Sequence, residues 1–166
     1  MMVSRSLNNG YLFFGLLFIS IVLVVIALGP GLFGKNIYES RWQHIFFEFL
    51  CHQDPIRSYS IGSESMAVCA RCLGIYSAFT IGLIGSPLLE RSLSISRKTR
   101  MRIVFGSIVI NMIDIFANGL WIWVNTLESR LILGAIFGFS IAILITEEFF
   151  KRNTKSEDTY GTEFAA

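Results

Sequence analysis

Residues 11–29 read YLFFGLLFISIVLVVIALG, a run without a single charge. As a helix rising about 1.5 Å per residue, it matches the roughly 30 Å hydrocarbon core of a bilayer. The run is longer than a usual signal-peptide core, and no small-x-small cleavage site follows it cleanly, so it reads as a retained span. The rest of the chain agrees. Over 166 residues, 53% are hydrophobic and only 16% charged, with a mean hydropathy of +0.59. A water-soluble chain of this length could not cover so much Leu, Ile, Val and Phe. The net charge of +2 is too small for a nucleic-acid partner, and the basic residues gather in short loops instead of a binding stripe.

Working outward, residues 67–89, 102–124 and 130–149 supply three further apolar spans. Residues 35–50 mix charges with Trp42, Phe46, Phe47 and Phe49, the pattern of an amphipathic helix lying at the interface. Residues 54–64 form a polar loop punctuated by Pro55 and Gly62. The expected fold is therefore all-α: a polytopic membrane protein with about four transmembrane helices plus an interfacial helix. Residues 1–150 form one domain on this reading, and the polar tail 151–166 is expected to be disordered. Gly74, Ala78, Gly82 and Ser86 recur every fourth residue, and Gly134 and Gly138 form a second small-residue pair. Such stripes seat neighbouring helices in lipid.

Basic residues indicate the orientation. Arg5, the five in the loop 90–102 and Lys151, Arg152 and Lys155 fall on one side of a four-span chain, nine of the fourteen Lys and Arg. The positive-inside rule then places both termini in the cytoplasm and the loop after the first span outside.

That loop carries the distinctive chemistry. Cys51-His52-Gln53-Asp54-Pro55-Ile56-Arg57-Ser58 leads into its polar stretch, and Val68-Cys69-Ala70-Arg71-Cys72-Leu73-Gly74-Ile75-Tyr76 follows that stretch. All three cysteines and one of two histidines lie in these words. A C-x-x-C pair joined by Cys51 and His52 from another segment has the composition of a tetrahedral Cys₃His zinc site. Adjacent residues in a regular helix diverge by about 100°, so Cys51 and His52 can share an ion only if the helix ends near Leu50. His44, seven residues before Cys51, is an alternative ligand. The same thiols allow a second reading. A C-x-x-C at a helix start, beside Arg71, favours the thiolate, with Cys51 as a resolving partner for thiol–disulfide exchange. Cysteine as a small buried hydrophobe is the bland alternative, and the clustering of all three with a histidine argues against it.

Asn111, Asp114, Asn118 and Asn125 lie along one face of the third span. An ionised aspartate near the bilayer centre costs roughly 2.5 to 3.5 kcal/mol and normally faces a partner or a wet cavity. Arg71 and Arg130 are the candidate partners, although a span ending at 124 buries Asp114 about 15 Å deep. Asp114 and Arg71 are accordingly the candidate catalytic residues, should the protein be an enzyme, while the asparagines serve equally well as helix-to-helix hydrogen bonds.

Together, the CHQ-x-P-x-RS and C-A-R-C-x-G-I-Y words, with Asp114 and the stretch 125–130, resemble the domain of unknown function 2085 family of small membrane proteins. The resemblance extends over about residues 42–138. It places the family pattern on Cys51, His52, Gln53, Pro55, Arg57, Ser58, Cys69, Arg71, Cys72, Gly74, Tyr76, Asp114 and Arg130. Ile115-Phe116 stand where that pattern has a glycine soon after the aspartate. What it implies is an integral membrane protein without an assigned activity. Three classes follow from the residues: a metal-stapled scaffold or binding protein, a membrane thiol oxidoreductase, and a small transporter subunit. The last requires oligomerisation, with itself or another membrane protein, to enclose a route.

Overall fold

The computed structural model describes residues 10–28, 37–61, 64–92 and 95–150. Helix α1 spans Gly10–Leu28 and α2 Ile37–Phe47. A 3₁₀ turn at Pro55–Arg57 and a minimal hairpin, β1 (Ser60–Ile61) with β2 (Glu64–Ser65), lead to α3 (Ala70–Ser92), α4 (Arg97–Gly119) and α5 (Leu127–Phe149). Helices α1, α3, α4 and α5 are long and apolar enough to cross a membrane. The protein is thus an all-α, polytopic membrane protein. Arg5, the start of the interfacial stretch at Lys35, Gly62 and the tail 151–166 lie outside the described residues.

Long apolar side chains cover the outside of these helices, among them Phe14, Phe18, Phe105, Ile113 and Phe116. No soluble monomer tolerates so extensive an exposed apolar surface, and lipid is its natural solvent. Helix α3 packs most extensively against α5, α5 against α4, and α1 against α3. Since α3 and α5 run parallel, their small residues meet in step. A Cβ on Gly74 would strike the backbone of Leu131, one on Gly134 that of Arg71, and one on Gly138 that of Ile75. Gly82 faces the side chain of Ala142. Absence of side chains at these positions lets the two backbones touch, which replaces the hydrophobic driving force that lipid removes.

Two apolar clusters close the ends of the bundle. Phe13 packs with Leu83 and Phe150 at one end. Ala27, Phe47, Cys51, Ala67 and Val68 gather at the other, flanked by Cys69, Cys72 and Tyr76. Within α3, Pro87 cannot donate to the Leu83 carbonyl four residues earlier. The buried Ser86 hydroxyl donates to that carbonyl at 2.7 Å, so the helix crosses the apolar region without an orphaned acceptor.

Helix boundaries differ from the sequence expectation where charge was mistaken for loop. The basic stretch 90–102 lies mostly inside helices, because α3 continues to Ser92 and Ser96 caps α4 by accepting from the Thr99 N–H. Arg100 is only 2% exposed. It pairs with Glu90 of α3, donates to the Ile143 carbonyl of α5 at 2.6 Å and lies 3.8 Å from Glu147, tying three helices together. Apolar residues 120–124 were expected to extend the third span, yet α4 ends at Gly119. Trp121 and Ile122 donate back to Asn118 and Ala117 at 3.3 and 3.1 Å, which turns the chain out of the helix.

Candidate functional site: a three-cysteine cluster above a half-buried ion pair

The site is assembled at the end of the bundle where α2 finishes and α3 begins. Helix α2 stops at Phe47, and Cys51 sits one turn beyond, its N–H donating to the Phe47 carbonyl at 2.8 Å. Gln53 then takes a left-handed backbone, φ 50°, which bends the chain away from the helix direction. Its side chain clasps His44: Nε2 donates to the His44 carbonyl at 2.5 Å, and Oε1 lies 3.2 Å from Nδ1. An amide oxygen can only accept, so His44 carries its proton on Nδ1 in this pairing.

The next residues lock the loop. Asp54 accepts from the Ile56 N–H at 3.0 Å and pairs with Arg57 at 3.0 Å, while the Ser58 hydroxyl donates to the Asp54 carbonyl at 2.9 Å. The Met66 N–H donates to the Tyr59 carbonyl at 2.8 Å, returning the chain to α3 beside Cys51.

This path brings the three sulfurs of Cys51, Cys69 and Cys72 within 4.8 Å of one another. All three cysteines are free thiols. The Cys69 N–H donates to the Cys51 sulfur at 3.1 Å, tying the end of α2 to the start of α3. The Cys69 thiol is itself pulled well below the ordinary thiol range, first by its side-chain hydrogen bond with Cys51 and then by that with Cys72. The ring of Tyr76 stacks on Phe47 at 5.9 Å and packs against the cluster.

His52 does not join that sulfur group. It is exposed and lines an open depression of about 520 Å³ with His44, Ile45, Glu48, Cys51 and Gln53. Cys51 thus belongs to both the cluster and the depression, and both histidines stand at its rim. The helix end that would let Cys51 and His52 act together occurs three residues earlier than Leu50.

Arg71 of α3 reaches Asp114 of α4 and forms an ion pair, each side chain less than a fifth exposed. Asn125 donates to the same carboxylate oxygen of Asp114 at 2.7 Å. The anticipated depth problem disappears because α4 ends early: Asp114 lies five residues from Gly119, about 7.5 Å along the axis. The remaining polar stripe is also partnered. Asn111 donates to the Leu133 carbonyl at 3.1 Å, and Asn118 accepts from the Asn125 N–H at 3.2 Å. Arg130 makes no hydrogen bond to Asp114 among the described residues, where that carboxylate is taken by Arg71 and Asn125.

A model of predicted membrane proteins, domain of unknown function 2085, matches residues 51–144, from the first cysteine through most of α5. That is more than half of the chain. The protein belongs to the DUF2085 family. An uncharacterised protein of Methanocaldococcus jannaschii is 32% identical over 111 residues, covering 63% of this chain and 67% of that relative. No solved structure matches. The matched region contains the sulfur cluster, the Arg71–Asp114 pair and the glycine contacts of α3 with α5, so this DUF2085 protein carries its site inside the family domain.

Sequence reasoning missed two contributors to the site and one buried charge at the opposite end of the bundle. Gln53 was visible in the CHQ word, but only the φ 50° turn shows its side chain facing His44. Asn125 was assigned to the polar stripe of the third span, whereas it lies beyond α4 and reaches back to Asp114. Arg100 read as a solvated loop charge.

Proposed function

We propose that this DUF2085 membrane protein holds one zinc ion on Cys51, Cys69 and Cys72, with His52 as the fourth ligand, and that the metal staples the polar loop to the start of α3. The convergence of three thiols from two segments supports this most directly. Three thiolates suit a soft to borderline cation, and an N–H donor to a sulfur is the usual outer-shell support of such a ligand. Four protein ligands close the shell and favour a structural role. His52 stands beside Cys51 in the lining of the shared depression and would have to turn its exposed ring inward to serve as the fourth ligand.

Metal analysis of the purified full chain is expected to give one zinc per protein, lost in Cys69→Ser and in Cys51→Ser. Absence of stoichiometric metal in freshly purified protein would sink this reading. His52→Ala decides the coordination: about 10- to 100-fold weaker zinc binding supports the closed site, and unchanged affinity points to an open fourth position occupied by water.

The closeness of three free thiols also supports a second reading, thiol–disulfide exchange. Two of the thiols would give up two electrons and two protons to a disulfide or quinone acceptor, leaving the third to resolve. Thiol titration separates the readings, since a cycling protein shows one disulfide and one free thiol per chain after oxidation and binds no metal.

On the charge bias of the sequence, the cysteine end faces the extracytoplasmic side, with both termini in the cytoplasm. A cysteine placed at the exposed Ser60 of β1 is expected to react with a membrane-impermeant maleimide in intact cells. Labelling that required permeabilisation would reverse the orientation.

A further inference from the structure

Beside the cysteine cluster lies a second opening that neither the metal nor the thiol reading uses. It is a cleft of about 550 Å³ between the 3₁₀ turn, the chain leaving α4 and the start of α5. Arg57 and Arg130 stand on its walls, Trp121 and Trp123 frame it, and Asn118 and Asn125 line it. Among the described residues, the Arg130 side chain has no hydrogen-bond or ion-pair partner. Arg71, whose backbone meets α5 at Gly134, lies one turn of that helix from Arg130. Three guanidinium groups thus crowd one region, with Asp54 committed to Arg57 and Asp114 to Arg71. The Asn125 side-chain oxygen is buried without a donor.

Backbone strain points to the same place. Trp121 holds φ 59° at the position after the α4 cap, where glycine is the usual residue. A bulky side chain is uncommon in that region, and strain of this kind persists where the surroundings demand it. Its cost is accompanied by an 89% exposed indole at the lip of the cleft, next to Trp123 at 61%. Tryptophans so displayed at the end of a transmembrane helix sit at headgroup level.

We propose that this cleft binds a phosphate ester, with Arg130 and Arg57 gripping the phosphate oxygens, Asn125 accepting from a neighbouring hydroxyl, and Trp121 and Trp123 holding the site at the depth of phospholipid headgroups. Guanidinium groups match phosphate oxygens in both charge and geometry, and basic clefts between transmembrane helices are suited to lipid headgroups. The same chemistry would accept a soluble phosphate.

The test uses the full chain purified in neutral detergent and titrated with dihexanoyl phosphatidylglycerol, followed by native mass spectrometry. Dihexanoylglycerol, which lacks the phosphate, and inorganic phosphate are the companion probes. Saturable binding of the phospholipid is expected, weakened about tenfold or more by Arg130→Gln and several-fold by Arg57→Gln. Arg97→Gln, at the opposite end of the bundle, leaves it unchanged. Trp121→Gly is expected to bind more weakly while raising the unfolding temperature, a combination that a merely structural tryptophan would not produce. Displacement by inorganic phosphate at concentrations similar to the lipid identifies a soluble phosphate as the source, and weak displacement identifies the lipid. Equal binding of dihexanoylglycerol, or Arg130→Gln and Arg57→Gln proteins of native helix content that bind like the parent, would overturn the proposal.

Discussion

Gly134→Ala is expected to destabilise the protein by about 3 kcal/mol, near the top of the range for forcing one extra carbon into a packed interior. The added Cβ would fall well under 3.0 Å from the Arg71 carbonyl, a backbone atom that cannot rotate aside. Helices α3 and α5 must therefore separate. In lipid their association rests on close van der Waals contact, so separation forfeits the term that holds them. The same displacement carries Arg71 away from Asp114 and Cys72 away from Cys51. Gly106→Ala in α4 and Gly85→Ala in α3 meet nothing within 4 Å and provide the matched controls. They are expected to be neutral or to gain about 0.5 to 1 kcal/mol, because alanine is the better helix former. Reversible unfolding in mixed micelles with increasing denaturing detergent measures all three. A Gly134→Ala protein as stable as Gly106→Ala would mean that the two helices are not in backbone contact.

The contrast among these glycines also marks what could be read before the structure. Spacing alone singled out Gly74, Gly82, Gly134 and Gly138, and these are the positions where α3 and α5 touch. The long apolar runs and the four helices were legible for the same reason: lipid demands continuous hydrophobicity and internally satisfied backbone, which leaves little room for other folds. Helix ends were not. Residues 120–124 are as apolar as the helix before them, and only the turn through Trp121 shows that they leave it. In the site, chain proximity suggested grouping Cys51 with Cys69 and Cys72, and their sulfurs do converge. The place of His52 depends on how a non-helical turn aims one side chain, and local sequence does not encode that aim. Arg100 illustrates the same limit from the other side: its partners Glu90, Ile143 and Glu147 come from two other helices, so no local pattern distinguishes it from the exposed Arg97.

The Arg71–Asp114 pair is where structure and function most need separating. Asp114→Leu removes the carboxylate that receives both Arg71 and Asn125. Arg71 Nε is already buried without a partner, so the substitution strands a charge that has little other stabilisation. Breaking one side of a fully buried pair costs about 3 to 5 kcal/mol, so this half-buried pair is expected to lose about 2 to 3 kcal/mol, with Arg71→Met, which strands Asp114, costing a similar amount. The double variant Arg71→Met with Asp114→Leu leaves neither charge behind and is expected to recover most of the loss, since apolar replacements of buried pairs are often close to neutral. Mixed-micelle unfolding of the parent, both single variants and the double variant gives the coupling energy. Additive losses would show that the two residues act independently. Recovery of stability in the double variant also makes a functional test clean. A folded protein that keeps its zinc but fails to restore growth or physiology to cells lacking the native chain would assign the pair a role beyond locking α3 to α4, whereas full restoration would leave it a lock.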